Sequence, residues 1–450
     1  MFPRIATALL LLALAAPGCA SDTAGVGRAG SGYALRDLDW LRASAVLFRT
    51  TDPGGDAADL APLRGMVGGA RMVGLGEATH GTSEFFRMKH RVLEHLVEEM
   101  GFTVFAIEAS WAESERINDY VRGGPGDPRE LLSATKFWTW RAQEVVDMIE
   151  WMRRHNRAPG DAPRVEFRGF DMQYSRVAMD DVEAFVSRVD PARLAEVRGR
   201  YACFRRYEED ALANRRASYA AAGLAEQQAC REGVQAVHGL LEGAREGYTA
   251  ASSAAEYERA LRAARIVVQN EDVLLGGNVP RDRYMAENAA WLLDQAGPGA
   301  RMVLWAHNAH VSAGVGAMGS HLRERFGADY LAVALSFEDG TFNAVEQGWQ
   351  GNYLGVKTMH APPPIFNTYE YQFRRLGLPR FLLDLRPLRA RTDEATAWLR
   401  GPLGLRSIGA VYRPATPQDF YTRIRLPEEF DLLVHVAESS PSELIVDDTR

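Results

Sequence analysis

A strand–helix–strand pattern near the start of the chain most constrains its fold. Residues 71–76 form a short apolar run, and residues 82–100 carry apolar side chains at helical spacing. Residues 102–107 form a second run, which is apolar almost without interruption and is typical of a strand covered on both faces. The pattern therefore predicts a βαβ unit, in which a helix connects two parallel strands.

Strand-like and helical segments continue to alternate beyond this unit. Further runs with strand character occupy residues 165–169, 302–306 and 330–336, with candidates at 381–385 and 432–436. Two more helices are predicted, at residues 111–121 and 143–156. Residues 176–296 contain no convincing strand and are rich in Ala, Glu, Arg and Gln at helical spacing. We therefore expect an α/β domain over residues 35–440 with a large helical insertion at about 176–296.

Composition and charge exclude some classes of protein. The chain has 450 residues, of which 46% are hydrophobic and 25% charged, so it is long enough to bury a sizeable core and is not disordered or fibrous. Its formal net charge is -7, and no run of Lys and Arg forms a local basic patch. Because binding to a phosphate backbone needs such a patch, we expect no nucleic-acid partner.

The N-terminus has the pattern of a secretion signal. Arg4 precedes an apolar run over residues 5–16, which is shorter than the roughly 20 residues that span a bilayer. Cys19 follows the small residues at the end of this run, as in a bacterial lipoprotein signal. We predict a signal peptide over residues 1–18, lipidation of Cys19 and a flexible tether over 19–34. The protein would then face the periplasm or the exterior from the bacterial cell envelope, attached to a membrane only by its lipid. An ordinary cleaved signal peptide is the alternative.

Cys203 and Cys230 are the other two cysteines of the chain. An oxidising compartment would permit them to pair, but their spacing alone does not show whether their β-carbons meet. They lack the CxxC spacing of zinc sites, so a cysteine metal site is not expected.

Ionisable side chains cluster at the predicted ends of four strands. They are Glu77 and His80 after the first strand, Glu108 after the second, Asp171 after the third, and His307 and His310 after the fourth. A single carboxylate at a strand end is often a helix cap, and a lone histidine is often structural. Ligands of parallel sheets bind beyond the carboxyl ends of the strands, however, and the coincidence at four ends favours a catalytic site there.

These residue types suit general-base hydrolysis. His80 can take a proton from water, while Glu77 or Glu108 fixes its tautomer and stabilises the imidazolium. His307, His310 or Lys89 could stabilise the developing oxyanion. The sequence has no GxSxG nucleophile elbow, so water is a better candidate for the nucleophile than serine.

Several blocks of the sequence resemble one known family. They are Gly76-Glu77-Ala78-Thr79-His80-Gly81, Glu84-Phe85-Phe86, Lys89-His90-Arg91, Ile107-Glu108 and Trp305-Ala306-His307-Asn308-Ala309-His310. In order and spacing these blocks are similar to those of the erythromycin esterase family, and the resemblance extends more loosely over about residues 40–435. It implies a three-layer α/β core, with a mostly parallel sheet flanked by helices, and ester hydrolysis by metal-independent general-base catalysis. In macrolide-inactivating members the ester is the macrolactone of erythromycin.

The resemblance also implies roles for single residues. His80 matches the general base of the family, Glu77 its acidic partner and Glu108 a second essential carboxylate. His307 matches an assisting histidine, and we place His310 and Asp171 with Lys89 among the substrate-binding residues. Lys89 stands where macrolide-cleaving members carry Arg, and Lys keeps the charge but loses the planar fork that holds two oxygens. The expected substrate is therefore a small molecule that carries a carboxylic ester or a lactone, with macrolides as one candidate, and no cofactor is expected.

Two other functions are open from the sequence. The same carboxylates and histidines could bind zinc or manganese in a metallohydrolase, although the HEXXH motif is absent. Alternatively, the chain could be a lipoprotein that binds a ligand such as haem without transforming it, with His307 or His310 as the axial ligand.

Overall fold

Parallel strands lie at the centre of the computed structural model, and helices cover both of their faces. The structure describes residues 37–160, 163–208, 212–276 and 278–445. The predicted signal peptide, Cys19 and the tether lie outside the described residues. Among the residues that are described, no helix combines the length and apolar character needed to cross a bilayer.

Most strands belong to one mixed sheet. The strands are β1 Val46–Leu47, β2 Met72–Leu75, β3 Val104–Ser110, β4 Glu166–Asp171, β5 Met302–Trp305, β6 Tyr330–Gln347, β7 Tyr353–Ala361, β8 Arg380–Asp384, β9 Leu403–Arg406, β10 Val411–Tyr412, β11 Tyr421–Ile424 and β12 Leu432–Ser439. The order in the large sheet is β1-β8-β12-β6-β2-β5-β3-β4, with β7 and β10 also paired to β6. Strands β9 and β11 form a separate antiparallel pair.

The helices fill the connections between these strands. They are α1 Asp39–Ser44, α2 Ala61–Val67, α3 Ser83–Met100, α4 Trp111–Val121, α5 Pro128–Ala134, α6 Gln143–Arg157, α7 Arg176–Val189, α8 Leu194–Arg205, α9 Leu212–Ala221, α10 Leu224–Gly243, α11 Arg245–Ala251, α12 Ala254–Gly276, α13 Asn278–Gln295, α14 Asn308–Val311, α15 Met318–Phe326, α16 Tyr369–Leu376, α17 Glu394–Arg400 and α18 Leu426–Glu429. Helices α7 to α13 form the predicted insertion.

Each central strand contributes to two hydrophobic cores. In β5, Met302 and Leu304 face one core, whereas Val303 and Trp305 face the other. This follows from the alternation of side chains along a strand, and it requires both faces to be covered. Helices α3 and α6 pack on one face, and α7, α12 and α13 pack on the other. The prediction of a three-layer, mostly parallel α/β fold with a helical insertion is confirmed.

The strands that carry the candidate site are direct neighbours. Strands β2, β5, β3 and β4 are adjacent in that order and all run parallel. Their carboxyl ends therefore meet at one edge of the sheet, as the clustering of ionisable residues requires.

A disulfide between Cys203 and Cys230 crosslinks α8 and α10 within the insertion. Their Cα atoms are 5.0 Å apart, which is an ordinary separation for a disulfide. The sequence left this pairing open, and the structure provides the proximity that spacing alone could not show.

Candidate active site

Two glycines allow the loop after β2 to pack tightly against its neighbours. A Cβ atom at Gly76 would lie 2.1 Å from Oδ1 of Asn308, and one at Gly81 would lie 2.0 Å from the carbonyl oxygen of Asn343. Neither position therefore accepts a side chain without a shift of the backbone. Asn308 also donates its backbone N–H to the carbonyl oxygen of Glu77, at 2.9 Å. These contacts fix the loop that carries Glu77 and His80.

Glu77 is fully buried and forms three polar contacts through its carboxylate. Its Oε1 atom lies 2.6 Å from Nδ1 of His80. Its Oε2 atom accepts hydrogen bonds from Nζ of Lys89 at 2.8 Å and from Nε1 of Trp305 at 2.9 Å. Because a carboxylate only accepts hydrogen bonds, His80 carries its proton on Nδ1 and presents Nε2 as a lone pair. This arrangement suits a histidine base.

Lys89 lies behind Glu77 and is not open to a ligand. Its side chain is 1% exposed, and Nζ is 4.6 Å from the centre of the Trp305 ring. Burial lowers the pKa of Lys89 to about 8, although the negative charge of Glu77 opposes this shift. The expectation that Lys89 binds substrate is therefore revised: its ammonium group acts on Glu77.

Glu108 joins the loop after β5 to the helical insertion. Its Oε1 atom accepts a hydrogen bond from Nη2 of Arg281 at 2.6 Å, and its Oε2 atom accepts one from the backbone N–H of His307 at 3.0 Å. Burial alone would raise the pKa of Glu108, but the positive charges of His310 and Arg281 outweigh it and hold this pKa well below its usual value. Glu108 is therefore ionised at neutral pH.

Asp171 was expected to bind substrate, but the structure places its carboxylate against Arg281 instead. Asp171 is fully buried, and its Oδ2 atom accepts a hydrogen bond from Nη2 of Arg281 at 2.7 Å. The same guanidinium places Nη1 3.1 Å from Nε2 of His310, whose Nδ1 lies 2.8 Å from Oδ1 of Asp282. Burial lowers the pKa of His310, but Glu108 and Asp282 outweigh this effect and raise it.

His307 faces His80 across the site. The two ring centres are 5.3 Å apart, and the Trp140 ring packs edge-on against His80 at 5.4 Å. Nδ1 of His307 accepts a hydrogen bond from the backbone N–H of Ala309 at 3.1 Å, so a neutral ring carries its proton on Nε2. Burial is the main reason why the pKa of His307 lies well below its usual value. Nε2 is buried and forms no hydrogen bond of good geometry, although a contact with the backbone of Ala78 opposes the lowering of this pKa.

The structure brings most of the predicted site residues into one cluster: Glu77, His80, Lys89, Glu108, Asp171, His307 and His310. The sequence assigned no role to Arg281, Asp282 or the indole of Trp305. Trp305 is the first residue of the block that ends at His310, and this position was a usable signal. Arg281 and Asp282 belong to a helix of the insertion, where charged residues usually face solvent, and nothing in the sequence distinguished them.

Comparison with known proteins decides the family. The sequence profile described as "Erythromycin esterase" matches residues 97–439, which is most of the chain. The chain belongs to the erythromycin esterase family. The matched segment begins after the Gly76–Gly81 loop, but similarity to full-length relatives includes that loop as well.

Two relatives match nearly the whole of this family member. Erythromycin esterase type II of Escherichia coli is 23% identical over 439 residues, which cover 91% of this chain and 100% of the relative. The putative hydrolase YbfO of Bacillus subtilis strain 168 is 22% identical over 423 residues, which cover 86% and 88%. This esterase family member is accordingly a hydrolase of the ester or lactone type that acts on a small molecule.

Solved structures agree with this assignment. A Bacillus cereus protein has a TM-score of 0.78 at 27% identity, covering 90% of this chain and 98% of its own. A succinoglycan biosynthesis protein has a TM-score of 0.75 at 28% identity, covering 90% and 97%. A mutant of the erythromycin esterase EreC in its open conformation has a TM-score of 0.68 at 19% identity, covering 88% and 98%, and supports the fold alone.

The donor set of this esterase does not fit a metal ion. The oxygens of Glu77 and Glu108 already accept hydrogen bonds from Lys89, Arg281 and backbone groups. Within the described ranges, no three or more His, Cys, Asp and Glu side chains converge as metal ligands.

An open cleft of about 240 Å³ lies beside this cluster. Asn308 and Ala309 of α14 form one wall, and Ser407 and Thr422, near and in the β9–β11 pair, form another. Glu429 also lines the cleft and accepts a hydrogen bond from the hydroxyl of Ser312 at 2.7 Å. The cleft does not reach His80, but α14 directly follows His307, so it adjoins the catalytic cluster.

Proposed function

We propose that this protein hydrolyses a carboxylic ester or lactone with a water molecule that His80 activates. The 2.6 Å contact between Nδ1 of His80 and Glu77 carries this proposal, because it directs the lone pair of Nε2 away from Glu77. Nε2 takes a proton from water as the oxygen attacks the carbonyl carbon, and Glu77 stabilises the imidazolium that forms. Lys89 and Trp305 keep Glu77 in place during this step.

His307 supplies a donor for the oxyanion. Nε2 of His307 contacts only the backbone of Ala78, without good hydrogen-bond geometry, so its proton can turn to an oxyanion, and the depressed pKa keeps the ring neutral at working pH. A neutral donor that is fixed before the reaction stabilises developing charge without reorganisation. Glu108 fixes the start of the loop after β5, because it accepts a hydrogen bond from the backbone N–H of His307. As the tetrahedral intermediate collapses, the proton on His80 passes to the leaving oxygen.

Water suits the role of nucleophile better than the nearby serine. Ser83 lies three residues after His80, and its hydroxyl donates to Oε1 of Glu144 at 2.5 Å. A hydroxyl bound in this way is not activated by a histidine. The absence of a nucleophile elbow in the sequence agrees with direct attack by water.

The substrate is proposed to be an amphipathic ester whose remainder occupies the neighbouring cleft. The cleft combines apolar residues with Ser312 and Glu429, so it can accept both apolar and hydroxyl-bearing groups. A macrolide is one candidate, since the relative from Escherichia coli is an erythromycin esterase. Lys89 in place of Arg does not argue against it, because this residue is buried behind Glu77.

We also propose that the protein is a lipoprotein of the bacterial cell envelope, anchored through Cys19. The sequence around Cys19 and the Cys203–Cys230 disulfide support this location, because disulfides persist in oxidising compartments. Cys19→Ser should move the protein from the membrane fraction to the soluble fraction. Retention of this variant in membranes would contradict the anchor.

Mass spectrometry of products tests the proposed reaction. Purified protein is mixed with erythromycin and with a panel of simple esters and lactones. Gain of one water by any of them supports hydrolysis and identifies the substrate class. Absence of turnover, by protein that is folded by circular dichroism, across a panel that includes both macrolides and simple esters contradicts it.

A further inference from the structure

The helical insertion contains a fully buried ion pair that contacts the strand end carrying Asp171. Nη1 of Arg215 in α9 lies 2.5 Å from Oε1 of Glu208, and both side chains are 0% exposed. A buried ion pair is a weak source of stability, because each charge loses its hydration. We therefore ask which neighbouring groups the pair of Arg215 and Glu208 holds in position.

Both members of this pair bind the backbone of the link between β4 and α7, which comprises residues 172–175. Arg215 donates a hydrogen bond to the carbonyl oxygen of Gln173, through Nη2. Glu208 accepts hydrogen bonds from the backbone N–H groups of Ser175 and Arg176, at 2.8 and 3.1 Å. The insertion thus fixes the link at several successive residues.

Gln173 connects this link to the active site. Its side-chain amide donates a hydrogen bond to Oδ2 of Asp171 at 2.7 Å, the same oxygen that accepts from Arg281. Arg281 in turn contacts Glu108 and His310. A continuous chain of polar contacts therefore runs from Arg215 to the groups around the proposed base.

We propose that Arg215 and Gln173 are positioning residues, which set the orientation of Arg281 through Asp171. The proposal rests on the proposed function, in which Glu108 fixes the backbone of His307, because Arg281 binds Glu108. Without the Gln173 side chain, Oδ2 of Asp171 loses one of its two donors, while its Oδ1 atom keeps the backbone N–H groups of residues 172 and 173. We expect the carboxylate of Asp171 to turn, and the guanidinium of Arg281, which it holds together with Glu108, to shift relative to His310. The active site then keeps its residues but loses their alignment.

The ionisation of His310 reports the position of Arg281. The ring of His310 faces Glu108, Asp282 and Arg281, with the His307 ring centre 6.4 Å away. Arg281 lowers the pKa of His310, whereas the two carboxylates raise it. A displaced Arg281 should therefore raise this pKa further, which a merely structural defect elsewhere would not do.

The test compares four variants of the full chain. Arg215→Lys keeps the charge but cannot hold both Glu208 and the Gln173 carbonyl as the planar fork does, and Gln173→Leu leaves the ion pair intact. The matched controls are Arg262→Lys, a buried arginine of the insertion whose hydrogen bonds go to Glu287, and Gln228→Leu, an exposed glutamine bound to Glu232.

Two readouts separate this proposal from the proposed function. The His310 titration is followed by NMR on isotope-labelled histidine, with His310→Asn for assignment, and the hydrolysis of p-nitrophenyl acetate is followed by absorbance. We expect Arg215→Lys and Gln173→Leu to raise the His310 midpoint by about one pKa unit and to lower kcat/KM by about 10-fold or more. The controls should match wild type.

An unchanged His310 midpoint in folded Gln173→Leu overturns the inference, whatever the activity. If Arg215→Lys does not fold, the result for Gln173→Leu alone decides the test. A shifted midpoint supports the positioning role even if wild type hydrolyses neither p-nitrophenyl acetate nor any member of the macrolide and ester panel, and that lack of activity contradicts the proposed function instead.

Discussion

His80 and Lys89 bind opposite oxygens of one carboxylate, and this arrangement at the residue scale controls the proposed base. Glu77 is fully buried, so its charge is compensated by Lys89 and by the indole N–H of Trp305. Because Lys89 has a pKa of about 8, the compensation depends on pH within the physiological range. Arginine at the same position would not lose its charge there.

Lys89→Arg should therefore extend activity to higher pH. In wild type, Lys89 loses its proton as the pH rises above about 8, and Glu77 loses its counter-charge. The kcat/KM of wild type is expected to fall along an alkaline limb near that pH, and the limb should move upward in Lys89→Arg. A pH–rate profile between about pH 6 and pH 10 checks this, because that range brackets the lowered pKa of Lys89 and lies below the unperturbed lysine pKa of about 10.4. Identical alkaline limbs in the two proteins would contradict the role of Lys89.

The residues of the candidate site were predictable to different degrees. Glu77, His80, Glu108 and His307 stand at ends of apolar strands, and parallel strands bring such ends together. Arg281 was not predictable, because it is 173 residues from Glu108 in sequence and lies on a helix with no local sign of function. Its partners become evident only when the insertion folds onto the sheet.

At the scale of elements, helix α4 carries a carboxyl group inside the protein. Glu113 is 4% exposed, and its Oε2 atom has no hydrogen-bond partner. Burial raises the pKa of Glu113 from 4.5 to about 8, and the nearby charge of Glu208 adds to the shift. The folded protein therefore retains this proton over a pH range in which the unfolded chain releases it.

Glu113→Gln should stabilise the protein at neutral pH. The folded pKa is raised, so the favourable contribution of protonated Glu113 is complete below about pH 4.5 and is lost as the pH rises through about 8. The variant escapes this loss, which amounts to at most about 3 kcal/mol at pH 7. Urea unfolding at pH 7 and near pH 4 checks the difference, which should be small at the lower pH. Exposed Glu130→Gln is the matched control, and equal effects of the two substitutions would contradict the prediction.

The β9–β11 pair belongs to the proposed substrate cleft, which gives a second prediction at this scale. Thr422 of β11 lines the cleft, is exposed and makes no contact with His80. Thr422→Trp should occupy the cleft and raise KM for a bulky substrate by about 10-fold, with little change in kcat, because the reacting groups are untouched. The kcat and KM of Thr422→Trp for the small substrate p-nitrophenyl acetate should equal those of wild type. Equal KM values of wild type and variant for the bulky substrate would place the substrate elsewhere.

Some strands were easier to predict from the sequence than others. Strands β2, β3 and β5 are buried on both faces and form apolar runs, so their positions were predicted within a few residues. Strand β6 was predicted to end near residue 336 but continues to Gln347, and β7 was not predicted. Most residues of β7 are exposed on both faces, so it lacks the apolar pattern from which strands are recognised.

At the scale of the whole molecule, the insertion and the sheet jointly form the site. Arg281 comes from the insertion, whereas Glu108 and Asp171 come from the sheet. The disulfide between Cys203 and Cys230 closes a loop within the same insertion. The stability of the insertion should therefore affect both unfolding and activity.

Removal of the disulfide by Cys203→Ser with Cys230→Ser should lower the free energy of unfolding by about 3 kcal/mol, since the crosslink restricts the unfolded chain. Thermal unfolding with and without reductant checks this, because the double variant should be insensitive to reductant while wild type is destabilised. Equal melting temperatures of reduced and oxidised wild type, with reduction verified by thiol titration, would contradict it.

The most direct test of the account is the rate of ester hydrolysis by His80→Asn. Asparagine retains a polar side chain but cannot take a proton from water, so kcat should fall by at least about 100-fold while the fold is unchanged. His321→Asn, on helix α15 outside the cluster, is the matched control and should retain wild-type kcat. The predicted result is loss of activity in His80→Asn but not in His321→Asn. A His80→Asn protein with wild-type kcat would contradict the role of His80 as the base.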